Sequence, residues 1–407
     1  MGRASCSSIS DSLLHTVLKL KHLRRPVRTL GVAKDLFAAH LSMKVLGPRG
    51  DAHFRDDARY NLHNVTDGFR PRLDESGDDE AILQRICRAY VRAAERETVV
   101  KSEYRPSGWW KDVRQDGLAP VRRALAARDI AALQRMYRNF YRDPCSTGLV
   151  GAPYKMNKAH LGEAADESCR RFFLSNALHR IDHWKAQTGN RFVLRDLAGP
   201  KIGNPFGVSI DGTLIRAGTE SQHYSAHRIM ELLLPPNAAV VEIGGGFGGM
   251  AYYLVRDRPG TTYVNFDVPE SIALASYYLL KSFPDREFLL YGEEPLSADS
   301  LARFPVVLMP VFELPNMPAK SAGLIFSAHT MASLTPAAMA EYLDEIHRTT
   351  NKYLLLVGRA AESGPLDRLI RLRLPQLALA EKRVLEWNKL KILNDLEEER
   401  LYRVVRA

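Results

Sequence analysis

The chain has 407 residues, more than one compact domain commonly needs, so two domains are expected. Hydrophobic residues make up 45% and charged residues 26%, which excludes a disordered or collagen-like chain and leaves enough apolar material for a core. The 57 Lys and Arg against 47 Asp and Glu give a formal charge of +10, which permits an anionic partner without specifying one, and no nucleic acid is expected.

The first 60 residues are basic. Leu13, Leu14, Val17, Leu18 and Leu20 can share a helix face, followed by Lys21, Arg24, Arg25 and Arg28. This segment is the candidate for peripheral contact with an anionic membrane, weighed against a packing helix with a solvated basic end. His15, Lys19 and Lys21 interrupt its apolar stretch, so it does not read as a secretory signal, and no run elsewhere reaches transmembrane length. The four cysteines (Cys6, Cys87, Cys145, Cys169) form no CxxC or Cys/His cluster, so free thiols in a reducing cytoplasm are expected, with no metal.

Asp51 to Asp79 lacks periodicity and reads as loop. Residues 80–186 read as helical, with apolar residues at three-to-four spacing from Ile82 to Ala94, a run from Val121 to Phe140 breaking near Asp129, and a run from Ala164 to Trp184. Between the first two, Trp109 and Trp110 follow Pro106 and Gly108; paired indoles there can stack on a sugar ring, or anchor a loop to the core. Asn204 lies in the loop Gly203-Asn204-Pro205-Phe206-Gly207, and Asp211-Gly212 marks a hairpin turn. His223 and Tyr224 open a helix ahead of the first sheet strand, placed to reach an acceptor and a cofactor respectively, or to cap that helix. The expected division is a basic segment over 1–60, a helical domain over 61–197 and a cofactor domain over 198–407.

The most informative stretch is Val240-Val241-Glu242-Ile243-Gly244-Gly245-Gly246-Phe247-Gly248-Gly249: an apolar strand, a glycine turn and a helix. Gly244, Gly246 and Gly249 fit the dinucleotide pattern GxGxxG; Glu242, Gly244, Gly246 and Gly248 fit the ExGxGxG pattern of class I S-adenosylmethionine (SAM) methyltransferases. Glu242 favours the second, because a carboxylate repels a pyrophosphate and attracts a sulfonium and an ammonium. Asp267 ends the next strand, about 20 residues beyond the turn, where a ribose-binding acid is expected. Strands over 306–309, 324–327 and 353–357 alternate with helices over 271–283, 336–349 and 366–380. Segments 384–387 and 401–405 can pair as a closing hairpin. The expected fold is therefore α/β: a Rossmann-like, seven-stranded, mostly parallel sheet preceded by a mainly α-helical domain.

Ligands of such sheets lie beyond the carboxyl ends of the strands. Met309 there can pack on adenine, Ser327 stands at the cofactor side of the fourth strand end, and His329 follows it. A histidine is suited to remove the proton of an acceptor hydroxyl, which makes His329 the candidate base.

Glu242 to Gly249, Phe266-Asp267-Val268-Pro269-Glu270, Phe326 to Leu334, Asn139 to Asp143, Ser146 to Leu149 and Gly203 to Gly207 together resemble a bacterial family of sugar O-methyltransferases, over about residues 85 to 360. Ser327 and Ser333 differ from the Asn and Glu that the family carries there. The resemblance implies SAM as methyl donor and the hydroxyl of a sugar or glycosylated small molecule as acceptor. A non-sugar natural product, or a NAD-dependent oxidoreductase, are the alternatives. A homo-oligomer is compatible with all three.

Overall fold

The computed structural model describes residues 41, 44–73, 79–150, 167–233, 239–392 and 396–405. The basic helix face over 13–20, with its lipid contact, and the expected start of the third helical run at Ala164 lie outside them.

The N-terminal half is helical. Residues 44–54 form a helix, and α1 (Leu62–Gly68) follows, its Asn61 cap accepting from His63 N at 2.9 Å. This part of the expected 51–79 loop is therefore helical: a side-chain cap at Asn61 and burial of Val65 stabilise a helix of about two turns that periodicity over so few residues does not reveal. Next come α2 (Glu80–Glu97), α3 (Gly108–Asp116), α4 (Ala119–Ala127) and α5 (Ile130–Tyr137). The break near Asp129 is as expected. Arg128 closes α4 in the left-handed region (φ 55°), and Asp129 accepts from Ala132 N at 3.0 Å to start α5. Trp109 and Trp110 occupy the first turn of α3, not a loop. The long α6 (Glu167–Gln187) ends this half.

Strands β1 (Gly207–Ile210) and β2 (Thr213–Arg216) form the expected hairpin, with positive φ at both Asp211 (49°) and Gly212 (74°). Helix α7 (Thr219–Leu232) leads into the sheet. In chain order the sheet half then contains β3 (Ala239–Ile243), α8 (Gly249–Asp257), β4 (Tyr263–Asp267), α9 (Pro269–Ser282), β5 (Phe288–Leu290), α10 (Ala298–Arg303), β6 (Val306–Pro310), β7 (Ala322–Ala328), α11 (Thr330–Ser333), α12 (Pro336–Thr349), β8 (Thr350–Arg359), α13 (Ser363–Arg373), β9 (Leu377–Leu385) and β10 (Glu397–Val404). The spatial order is β5-β6-β4-β3-β7-β8-β10-β9. Strands β5 to β8 run parallel, and β10 is antiparallel to both β8 and β9. Every residue of β3 and β6 is buried, as strands covered on both faces require.

Two expectations are corrected. The sheet has eight strands, not seven. The additional one is the edge strand β5, only three residues long. The helix expected to reach Ala380 stops at Arg373, because Pro375 disfavours helical torsions at Leu374 (φ −123°), and the chain re-enters the sheet at Leu377.

The apolar core is continuous across the boundary expected near residue 197. Leu83 and Ile86 of α2, Leu133 and Tyr137 of α5 and Phe140 join Phe247, Leu274, Tyr277 and Leu279 in one buried cluster. Full burial of each such side chain contributes roughly 1.5–3 kcal/mol, so the helical half and α9 are held together mainly by hydrophobic contact. No helix among the described residues is long and apolar enough to cross a membrane.

Candidate functional site

Strand β3 delivers Glu242 and Ile243 to the carboxyl edge of the sheet, where the chain turns through Gly244, Gly245 and Gly246, each half-buried, into α8. Gly244, Gly246 and Gly248 all have positive φ (83°, 58° and 88°). A Cβ on Gly244 would stand 1.9 Å from Thr330 Oγ1, and one on Gly245 would stand 2.7 Å from the Asn265 amide. The turn is therefore a backbone surface that side chains would fill.

Two carboxylates flank it. Glu242 is buried and accepts a hydrogen bond from the Tyr263 hydroxyl. Burial pushes its carboxyl up to about 7; the Tyr263 bond opposes this and the charge of Asp267 adds to it. Asp267, at the end of β4, accepts from Val268 N at 2.7 Å and Gly246 N at 2.9 Å. It keeps an accessible edge, yet its surroundings are dense enough that burial pushes it up to about 7 against those two donors. Val268, not Asp267, is the N-cap of α9, and the Asp267 carboxylate, placed between Gly246 N and the start of that helix at Val268 N and Ser271, joins the glycine turn to it. When ionised, two such carboxyls at one turn favour a cationic ligand over an anionic one.

The mouth of β7 lies against the same turn. Ser327 Oγ donates to Ile243 O at 2.8 Å, tying the ends of β7 and β3 together. Thr330 is the residue packed on Gly244. Between them, His329 adopts φ 64°, a conformation uncommon outside glycine, fixed by its N–H donating to Val357 O at 2.8 Å. Its side chain is 52% exposed, so it can reach a bound molecule, and its Nε2 lies 3.8 Å from Glu397 Oε2. On the helical side, Gly246 approaches the carbonyl of Leu149, which would be 3.1 Å from an added Cβ. Gly148 is packed on Trp110 and Trp109, whose rings are 5.7 Å apart, with Trp109 exposed. The Trp pair, the 148–149 bend, the glycine turn and the His329 loop thus follow one another in space.

Five expected residues belong elsewhere or are committed. His223 is fully buried among Trp184, Phe192, His227 and Tyr253. Tyr224 packs under Trp387 in the core. On α7 it is Gln222, one residue before His223, that meets the turn at Gly249. Met309 is 1% exposed and packs in the core cluster with Val264 and Phe266. Asn204 is a buried clasp: its Oδ1 accepts from Arg72 N and its Nδ2 donates to Asn139 Oδ1, both at 2.7 Å. The single hydroxyl proton of Ser327 is held by Ile243 O, so it has none to donate to a ligand. The residues that meet the turn and were not anticipated are Asn265, Thr330, Gln222 and Leu149. Thr330 and Leu149 fall within stretches that carry the family resemblance, Asn265 shows as a polar side chain inside the apolar run Tyr263 to Phe266, and Gln222 carries no signal.

His223, His227 and Asp257 bring ligand-type atoms within 4.8 Å of one another. The Trp184 indole N–H donates to His223 Nδ1 at 3.2 Å, so the neutral ring carries its proton on Nε2 and has no lone pair there for a cation. Asp257 is also held by Arg256 at 2.6 Å. The donor set does not suit a metal.

No protein-family model matches the chain, and no curated protein matches it. Among solved structures it is similar to a SAM-dependent methyltransferase from Aquifex aeolicus, with 14% identity over 46% of this chain and 94% of that one and a TM-score of 0.32. It is similar to a TehB-like SAM-dependent methyltransferase from Corynebacterium glutamicum, with 15% identity over 57% and 99% and a TM-score of 0.32. It is also similar to a Pyrococcus abyssi tRNA (uracil-54, C5)-methyltransferase in complex with S-adenosyl-L-homocysteine, with 12% identity over 45% and 38% and a TM-score of 0.30. Likeness this distant identifies no family; the α/β class rests on the strand order itself.

Proposed function

We propose that the protein is a SAM-dependent O-methyltransferase acting on the hydroxyl of a sugar or glycosylated small molecule. The observation that carries the reading is the contact of Gly244 with Thr330, which sets the half-exposed His329 beside a glycine turn flanked by Glu242 and Asp267. Glu242, Asp267 and the turn from Gly244 to Gly248 would hold the cofactor, which when bound supplies an electrophilic methyl group. Asp267, with an accessible edge, is suited to accept from ribose hydroxyls. His329 takes the proton of the acceptor hydroxyl as that oxygen becomes a nucleophile, and Glu397 faces the imidazolium that results. The exposed Trp109 offers a ring face to a sugar on the helical side of the site.

The test is calorimetry with SAM and NAD, followed by methyl transfer from labelled SAM to a panel of nucleotide sugars and glycosides. Binding of NAD and not SAM would reject the proposal. His329→Ala is expected to lower transfer by about a hundredfold or more while leaving SAM affinity within about twofold. Undiminished transfer in that variant would remove His329 from the role.

The pH dependence of SAM binding has a defined sign. Both carboxyls are raised, from 4.5 and 3.8 to about 7, so below pH 7 they are largely protonated in the free protein. A cation binds the ionised form and must displace protons. Affinity should therefore rise with pH up to about 7 and level off above it, SAM binding being about tenfold weaker at pH 6 than at pH 8 if one proton is released. Titration calorimetry in buffers of different ionisation enthalpy counts that proton directly; a flat profile would exclude the carboxylates from cation binding.

A further inference from the structure

Arg216, the last residue of β2, is 8% exposed, and among the described residues no carboxylate stands within ion-pair distance of it. Its guanidinium carbon lies 4.9 Å from the centroid of Tyr141 and 5.1 Å from that of Phe247, the latter within the glycine turn. Its hydrogen bonds go to neutral oxygens, Gln222 Oε1 at 2.5 Å and Ala217 O at 3.0 Å. The nearby Glu220 is occupied by Arg180 at 3.2 Å and by Gly218 N at 3.1 Å. A buried cation is costly unless paired, and aromatic faces offset that only in part.

Gln222 shows where a matching anion would come. Its Oε1 is held by an always-charged donor, which fixes the orientation of the amide and leaves the two protons on Nε2 for another acceptor. That amide lies against Gly249, 2.5 Å from where a Cβ would stand. Gly249 opens α8, whose first bond of the i→i−4 kind runs from Tyr252 N to Gly248 O, so the N–H groups before Tyr252 have no acceptor within the helix. A guanidinium, an oriented amide and free helix N–H groups converge on one end of the turn.

We propose that Arg216 and Gln222, with the first turn of α8, form the seat for the carboxylate of the cofactor's amino-acid end. This rests on the SAM reading above and assigns the two ends of the turn opposite roles: Glu242 and Asp267 attract the cationic and ribose portions, and Arg216 attracts the anionic terminus. It also explains why a chain with carboxylates at the turn keeps a buried arginine beside it.

The test compares S-adenosylhomocysteine with its decarboxylated analogue by calorimetry in wild type, Arg216→Met, Arg216→Lys and Gln222→Leu. Wild type should bind the carboxylate form about tenfold or more tightly than the analogue, the range of a charge-assisted contact. Arg216→Met and Gln222→Leu should bring that ratio close to one with affinity for the analogue unchanged, and Arg216→Lys should give an intermediate ratio because it keeps the charge and loses the fork. A wild-type ratio retained in the variants, or equal losses for both ligands, would overturn the assignment. If Arg216→Met does not fold, Arg216→Lys and Gln222→Leu decide by the same ratio. Failure of wild type to bind either ligand would instead overturn the SAM reading, and this assignment with it.

Discussion

Gly244→Ala is expected to weaken SAM binding by at least about a hundredfold. The residue has φ 83°, where a side chain costs roughly 1–2 kcal/mol of backbone strain. The larger cost is steric. The new methyl group would stand 1.9 Å from Thr330 Oγ1, 2.6 Å from its Cβ and 2.8 Å from its Cγ2, separations that no atom pair tolerates. Thr330 is short and sits at the start of α11, so it cannot swing aside; either the turn or the His329 loop must shift. Both belong to the proposed site. The double variant Gly244→Ala/Thr330→Gly removes the clash and keeps the strain, so it should recover most of the lost affinity, leaving about tenfold. Gly260→Ala is the control, since a Cβ there meets nothing within 4 Å and should leave binding unchanged. Calorimetry with SAM measures all three; affinity in Gly244→Ala close to wild type would show that the turn does not hold the ligand.

What the sequence reveals about this architecture depends on the range of the interaction that creates each feature. Asp211-Gly212, the break at Asp129 and the glycine turn are set by torsions and caps within a few residues, and they stand where local chemistry puts them. Strand β5 has only Phe288, Leu289 and Leu290, too few to show a period; its register with Val306 to Leu308 of β6 makes it a strand. Likewise Leu377-Ala378-Leu379-Ala380 carries helix-favouring residues, and pairing with β10 overrides that preference. The site divides the same way. The positions of Glu242 and Asp267 at the sheet edge are legible because Glu242 lies two residues before a glycine run near the end of β3, and Asp267 closes the next strand just before Pro269. His223 reads as a polar residue near the sheet, whereas a hydrogen bond from Trp184, on a different helix, makes it a core residue. Arg216 and Gln222 gain their meaning only when the hairpin folds back over Phe247.

Asp79→Ala is expected to destabilise the protein by about 3 kcal/mol, mostly by removing the buried carboxylate that Lys281, Arg138 and Tyr277 share. Asp79 is 1% exposed and lies just before α2. Its carboxylate accepts from Lys281 at 2.7 Å and from Tyr277 at 3.0 Å, both on α9, and from Arg138, which follows α5, at 2.8 Å. It therefore joins the helical half to a helix of the sheet at a buried point. Removing one partner of a buried pair costs roughly 3–5 kcal/mol; Lys281 remains nearly enclosed, while Arg138 is 29% exposed and regains some water, which places the value at the lower end. Replacing all three charges, as Asp79→Ala/Arg138→Met/Lys281→Met, should be less destabilising than Asp79→Ala alone, because the two cations that faced the carboxylate are removed together with it. Burial pushes the Asp79 carboxyl up, but the bonds from Lys281 and Arg138 outweigh it and hold it below its ordinary 3.8. Its contribution is consequently complete above about pH 4 and is lost as the pH falls further, and the wild type should lose this part of its acid stability while Asp79→Ala does not. Urea unfolding at pH 7 and pH 3 measures both effects, and hydrogen exchange locates them: protection in α2 and α9 should fall together in Asp79→Ala, since both helices lose the same anchor. Loss confined to α2 would mean that the Asp79 contact with α9 contributes nothing, and that the two halves are held by the apolar cluster and the other ion pairs between them, such as Arg114 with Glu270 at 2.7 Å.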